Sequence, residues 1–445
     1  MNSFLRLLTA LAMGAAGQPL ALAQPLSSLL IEDVTLIDGT GRPPRPGVWV
    51  LIQEGRIAQI RRGPISAPPQ AGRVDGRDRF LIPGLMDMHV HLRGGFSRGG
   101  PDRQAGLKRL HSYLYSGVTS IYDAGNLPDF IFALRDEERS GKIDSPRIFA
   151  SGGIVTYPGS HGASPAATLV DSWPQAVPKL DAHLARNPDL VKLTYEERGW
   201  GIRPLIPILP LDLMEEIFRY CNLHGVRTTV HASSELRARQ AIFAGVDTLA
   251  HPVIQGPVSD GFVKLMAAKK IPMVSTLTIG ERYSRLAEHP EYLDQPLYRD
   301  TLEESERRRL QTEESARQKE SRWAAWMKIM TPVAQENLRR IDEAGGIVVA
   351  GTDQSLGPGL HRELELLVAG GIPPLQAIRI ATLHGAVFLG KEGELGSVEE
   401  GKLADLVLLS ADPSVDIDNA KRIVSVIKGG KIVDRAGLEL PVNGK

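Results

Sequence analysis

Two histidines one residue apart, His89 and His91 in Met86-Asp-Met-His-Val-His-Leu92, are the side chains best spaced to share a chemical task. On a strand, alternate residues face the same side, so both imidazoles can reach one metal ion. The preceding Phe80-Leu-Ile-Pro-Gly84 has the apolar and turn character of chain entering a buried strand. Such a pair also occurs as two ordinary surface or core histidines. What gives it weight is a set of further donors downstream.

Those donors are Lys192 in Leu190-Val-Lys-Leu-Thr194, His231 in Thr229-Val-His-Ala-Ser233, His251 in Leu249-Ala-His-Pro252 and Asp353 in Ala350-Gly-Thr-Asp-Gln354. Each ends a short apolar or β-branched run, the edge at which parallel barrels gather their reactive groups. Neutral imidazole and carboxylate suit zinc, with manganese, iron or nickel as substitutes. A lysine ammonium cannot ligate a cation, so from its type alone Lys192 reads equally as a salt-bridge partner at a barrel mouth.

The elements that must carry these residues alternate in a βα rhythm. Strands are expected near residues 84–91, 118–123, 147–151, 190–194, 227–231, 248–251, 272–276 and 347–353, with helices over 103–115, 211–224, 235–244 and 374–389. The long stretch 280–345 contains Glu303-Glu-Ser-Glu-Arg-Arg-Arg309 and Glu313-Glu-Ser-Ala-Arg-Gln-Lys-Glu320. Its mixed charges predict a solvated helical face, with a lid over the barrel mouth as the alternative. Further short strands are expected before residue 80, as in Ile31–Asp38 and Val48–Ile60, and after residue 395, as in Gly396–Leu409 and Ile423–Val433.

The chain has 445 residues with 52 basic and 52 acidic side chains, so it lacks the net positive charge that nucleic-acid binding would require. Its single cysteine, Cys221, excludes an intramolecular disulfide, and its place on an expected helix predicts a buried thiol. At the start, Arg6 precedes an apolar run from about Leu7 to Gly17, followed by Ala21-Leu-Ala23. This is the layout of a secretory signal cleaved before Gln24, and the run is too short to span a bilayer comfortably. The expected mature protein is exported, periplasmic or secreted, and not membrane-bound after cleavage.

Taken in order, His89, His91, Lys192, His231, His251 and Asp353 resemble the ligand set of the amidohydrolase superfamily, binuclear metal-dependent branch, with prolidase-like, Xaa-Arg-type dipeptidase and imidazolonepropionase-like relatives. The terminal pattern Gly401-Lys-Leu-Ala-Asp-Leu-Val407 is similar to that family's as well. The resemblance implies an α/β fold: a (β/α)8 TIM-like barrel over 81–393 and a small β-sandwich formed by 24–80 and 394–445, after a signal at 1–23. It implies two divalent ions, zinc first. His89, His91 and Asp353 would hold the inner ion, His231 and His251 the outer one, and a carboxylated Lys192 would bridge them. Carbon dioxide added to the lysine amine makes a carbamate with anionic oxygens, which resolves the problem posed by Lys192. Two ions acidify a shared water, Asp353 takes its proton, and an amide is the expected substrate.

Substrate choice lies in loops that vary independently of such a site. His161, in Gly152-Gly-Ile-Val-Thr-Tyr-Pro-Gly-Ser-His-Gly162, resembles a Gly-His-Gly element of dipeptidase-like and imidazolonepropionase-like relatives and is expected to contact a substrate carbonyl or carboxylate. Tyr195 is a second substrate-binding candidate. His361 is read as a capping or packing residue, and His111, His183, His224, His289 and His384 receive no role. The preferred substrate is a dipeptide or N-acyl amino acid, a small molecule in either case, and the resemblance is compatible with a homo-oligomer. The alternatives are a mononuclear deaminase, an imidazolonepropionase-like cyclic-amide hydrolase, a lactonase or phosphotriesterase, and a non-catalytic metal-binding barrel. Against the deaminase, Glu235 lies four positions after His231 instead of the three common there.

Overall fold

The computed structural model describes residues 28–95, 100–198 and 205–442. The expected signal segment, 1–23, lies outside them. Five strands open the described chain: β1 (Ser28–Leu36), β2 (Arg45–Gln53), β3 (Arg56–Arg62), β4 (Gly72–Asp75) and β5 (Phe80–Pro83). The β2–β3 hairpin turns on Glu54 and Gly55, at φ of +54° and +76°, the left-handed pair that a two-residue turn needs to follow strand twist. Strand β1 pairs in parallel with β4 through residues 29–32 and with β5 through Thr35 and Leu36, so the sheet divides along β1.

Eight strands follow that carry the barrel: β6 (Leu85–Val90), β7 (Val118–Asp123), β8 (Arg147–Ala150), then, after the short β9 (Val155–Thr156) and β10 (Thr168–Leu169), β11 (Leu190–Thr194), β12 (Arg227–His231), β13 (Thr248–Leu249), β14 (Pro272–Val274) and β15 (Ile347–Val349). All pair in parallel, β6 to β8 in one sheet and β11 to β15 in another. Two joins close the ring. The Asp189 amide donates to Ala150 at 2.9 Å, and Val90 bridges Gln354 in parallel. Strands of a closed parallel barrel are covered on both faces, and β6 and β7 are buried along their whole length, polar residues included. The last strands, β16 (Leu406–Leu409), β17 (Ile423–Lys428) and β18 (Lys431–Ile432), return to the first sheet. There β16 pairs antiparallel with β5, giving eight strands drawn from both ends of the chain around one apolar core that includes Ile31, Val50, Ile52, Leu81, Leu406 and Ile427.

Helices cover the barrel: α1 (Arg103–Tyr115), α2 (Pro128–Arg139), α3 (Trp173–Leu184), α4 (Leu211–Leu223), α5 (Glu235–Phe243), α6 (Asp260–Lys269) and α7 (Leu277–Glu288). Cys221 is buried on α4, and burial pushes its thiol up to about 12, far from nucleophilic use. The charged stretch after β14 is helical, with α8 (Pro296–Thr301), α9 (Glu304–Arg309), α10 (Ser315–Lys319) and the long α11 (Arg322–Glu343). Its charges pair along the helix surface, as in Arg309–Glu306 and Arg317–Glu314, while Leu286, Leu293, Tyr298 and Leu302 pack beneath. After β15 come α12 (Pro358–Ala369), α13 (Pro374–Ile380) and α14 (Leu383–Leu389). The single helix expected over 374–389 is therefore two. Thr382 leaves the helical region at φ −136°, ψ −87°, and its hydroxyl turns back to the Ile378 carbonyl at 2.7 Å. Among the described residues no helix is long and apolar enough to cross a membrane.

Candidate metal centre

Strand β6 delivers the first two ligand candidates by its alternation: Asp87, His89 and His91 share the face turned into the barrel. His89 is buried to 1% exposure while His91 keeps 38%, so His91 is the solvent-facing member of the pair. The turn after β15 brings the carboxylate to them. Asp353 sits at φ +53°, its amide donating to the His89 carbonyl at 2.7 Å, and its Oδ1 lies 3.4 Å from His91 Nε2 and 3.9 Å from His89 Nε2. Asp87 pins this turn, accepting from the Thr352 amide at 3.0 Å and hydroxyl at 2.7 Å. Burial pushes the Asp87 carboxyl up to about 8. Gly351 is required by space alone, since a Cβ there would lie 2.4 Å from Val274 Cγ1 and 2.9 Å from His89 Cβ.

His251, just past β13, completes the closest group: the donor atoms of His89, His251 and Asp353 all lie within 4.8 Å of one another. The resemblance assigns His251 to the outer ion, and here it also faces the inner pair. His231, at the end of β12, follows at 4.4 Å between ring centroids from His251. His89 Nδ1 meets the Ala250 carbonyl at 3.0 Å and His91 Nδ1 the Gly125 carbonyl at 2.8 Å. A carbonyl only accepts, so in each ring Nδ1 carries the proton and Nε2 presents its lone pair to the cluster. His251 Nδ1 is held by the Thr276 hydroxyl at 3.0 Å. Burial drives His89, His231 and His251 well below the usual histidine range, so all three are neutral, the state a metal ligand needs.

Lys192 enters from β11, buried against the same cluster. Burial brings its ammonium down to about 7, with Asp353 pulling the other way. His161 reaches the cluster from the loop after β9, stacked on His231 at 4.3 Å, and its carbonyl accepts from the hydroxyls of Thr194 at 2.6 Å and Thr156 at 3.0 Å. Seven of the expected site residues thus converge. Tyr195 does not, and its expected place at the substrate is corrected. One step along β11 from Thr194, it points outward to α5, where its hydroxyl donates to Gln240 at 3.1 Å and Arg237 lies over its ring.

Two site carboxylates escaped the reading of the sequence. Glu363 on α12 is buried and accepts from the amides of Leu277 at 2.9 Å and Thr278 at 2.8 Å, and from the hydroxyls of Ser275 and Thr278. It thereby fixes the start of α7 and holds Thr276, at φ +32°, against His251. Glu196 lies just beyond β11, fully buried, with Oε2 4.0 Å from His231 Nε2. The period of two from Lys192 through Thr194 was the available signal for Glu196. Nothing in sequence spacing points from Glu363 to β14. His361 Nε2 meets the Ser116 carbonyl at 2.8 Å, the packing role expected of it.

Neutral imidazoles aimed inward by carbonyls, one carboxylate between two of them and a buried amine fit a divalent-cation centre. Comparison with known proteins agrees. The Amidohydrolase family pattern matches residues 80–433. The chain is 26% identical to an ochratoxinase of Aspergillus niger over 91% of its own length and 86% of that protein's. It is 21% identical to an imidazolonepropionase of Thermoanaerobacter pseudethanolicus over 83% and 85%. A crystal structure of a Xaa-Pro dipeptidase with methionine bound in its active site is similar at a TM-score of 0.73 and 25% identity, over 92% of this chain and 100% of that one.

Proposed function

The chain belongs to the amidohydrolase family and is a hydrolytic enzyme acting on carbon–nitrogen bonds, and we propose that it cleaves the amide of a dipeptide or N-acyl amino acid. The observation that carries this reading is the convergence of His89, His91, His231, His251, Asp353 and Lys192 at one mouth of the barrel. We assign His89, His91 and Asp353 to one divalent ion, His231 and His251 to a second, zinc in both cases, and Lys192, as its carbamate, to both. Because burial brings Lys192 down to about 7, a large share of it is free amine at neutral pH, able to add to carbon dioxide with loss of a proton.

Bound ions of this kind supply an acidified water and polarise a carbonyl. The chain's own residues do the rest. Asp353, between the two β6 imidazoles, accepts the proton released on attack and returns it to the departing nitrogen. His161, on the open side against His231, is placed to hold a substrate carbonyl or carboxylate. Arg93, two residues past His91, and Arg282, on α7, form no ion pair among the described residues, while Arg282's positive charge is felt by Asp353. They supply the cationic rim that a substrate carboxylate would meet. The ochratoxinase and Xaa-Pro dipeptidase similarities support an amide substrate; the imidazolonepropionase similarity keeps a cyclic amide as the second reading. A deaminase role for Glu235 has no support, because that carboxylate accepts from the Ser259 amide at 2.7 Å and pairs with Arg239 at 2.7 Å on the outer helices.

We further propose export with cleavage before Gln24 and a division into a barrel over 81–393 and a smaller domain from the flanking segments. The test of substrate is turnover, by zinc-loaded protein, of a panel of dipeptides, N-acyl amino acids, cyclic amides, lactones and phosphotriesters. The open-chain amides are expected to lead. Faster turnover of lactones or phosphotriesters across the panel would refute the peptidase reading while leaving the metal centre intact.

A further inference from the structure

Glu196 poses a charge problem that the ligand set does not answer. Its carboxylate is at 0% exposure, yet no lysine or arginine forms an ion pair with it among the described residues. Every hydrogen-bond partner it has is a donor: the Arg198 amide at 2.9 Å to Oε1, the Gln255 amide group at 3.2 and 3.3 Å to the two oxygens, and the Ser233 amide at 3.3 Å and hydroxyl to Oε2. The Ser233 hydroxyl in turn accepts from Gln255 at 2.8 Å, leaving its proton for Glu196. Both oxygens accept throughout this shell, a pattern that suits a carboxylate. A buried anion without a counter-charge is among the costliest features a fold can carry.

Among the described residues the one ionisable partner within reach is His231, with Nε2 4.0 Å from Oε2. As a metal ligand that imidazole must offer a lone pair and cannot itself be the balancing cation. The missing positive charge is then the ion that His231 holds. Strand β11 adds a positional argument, because Lys192 and Thr194 share its face turned to the cluster and Glu196 follows two residues after the strand ends. The segment that carries the proposed bridging amine therefore carries a second group toward the same centre, four residues further on.

We propose that Glu196 is the built-in counter-charge of the cation on the His231 side of the centre, setting that ion's affinity and held in place by Ser233 and Gln255. This assignment rests on the two-ion reading above, and it makes Glu196 a positioning residue of the metal site, outside the proton-transfer chemistry of Asp353. It accounts together for the burial, the all-donor shell and the closeness to His231.

Glu196→Gln removes the charge and keeps the shape. Zinc binding is measured by competitive chelator titration with elemental analysis, and melting of the metal-free protein by calorimetry. The variant should bind one of its two zincs, the one proposed for the His231 side, roughly 10- to 100-fold less tightly, the usual effect of groups that support metal ligands, with the other little changed. Metal-free Glu196→Gln sheds an unbalanced buried charge but turns one NH2 toward the Ser233, Gln255 and Arg198 donors, so its melting temperature should stay close to the wild-type value. Ser233→Ala keeps the charge and should alter zinc affinity much less. Unchanged zinc affinity in Glu196→Gln, an equal loss in Ser233→Ala, or a metal-free variant that melts well below wild type with both ions weakened alike would each overturn the assignment and leave Glu196 a structural hub. A wild type that takes up one zinc would refute the two-ion reading separately; Glu196 would then stand or fall on whether its glutamine variant weakens that one ion.

Discussion

Asp353→Asn separates metal binding from proton transfer with little else disturbed. The residue sits at φ +53°, where an ordinary side chain costs about 1–2 kcal/mol but asparagine is tolerated as aspartate is. Its backbone amide bond to the His89 carbonyl at 2.7 Å is untouched by the change. The amide oxygen still faces His91 and His89 and can still serve as a neutral ligand, so metal content should fall only modestly. What is lost is the ability to take a proton. General acid–base contributions run to roughly 10² to 10⁴ in rate, or about 2.7–5.4 kcal/mol of barrier, and kcat on the preferred amide should fall by that much. The assay is steady-state turnover at saturating zinc, with elemental analysis of the same sample. Near wild-type kcat at full zinc content would make Asp353 a ligand only, and the proton acceptor would have to be sought at His161, the other titratable group stacked on the cluster.

Lys192→Ala removes the proposed bridge and should lose most activity and one ion per chain, with partial recovery on adding short carboxylic acids, read by turnover and zinc content; full activity without them would refute the carbamate. Gly351→Ala drives a methyl to within 2.9 Å of His89 Cβ and should cost about 1–3 kcal/mol in denaturant melts while also lowering zinc content. Buried His361 and His384 are both lowered to about 4, against about 6.5 in the unfolded chain. Folding therefore favours their neutral forms, so this stability is complete above pH 6.5 and drains away as pH falls toward 4. Urea midpoints measured across that window should drop, and His384→Gln should flatten the slope.

The clustering of the histidines was legible because strand ends in a parallel barrel converge, so position along a strand stands in for position in space. The same logic placed Tyr195 wrongly by a single residue. It follows Thr194 at the strand end, and the period of two sends it out to Gln240 and Arg237 while sending Glu196 in toward His231. The helix expected over 374–389 failed for another reason. Its apolar period runs on through Thr382, and only the need to bring His384 against the Val348 carbonyl, at 2.7 Å, and Gly385 against Met86 breaks it. That constraint comes from β6 and β15, far away in the chain. Glu363 is the extreme of this kind, since its four donors lie 85 to 88 residues away and no local pattern marks it. The residues proposed to hold an ion lie near or just past strand ends, where local pattern marks them. Those that hold such residues still, Glu363 through Thr276 and Asp87 through Thr352, are set by tertiary packing, and there the structure adds most to what the chain alone discloses.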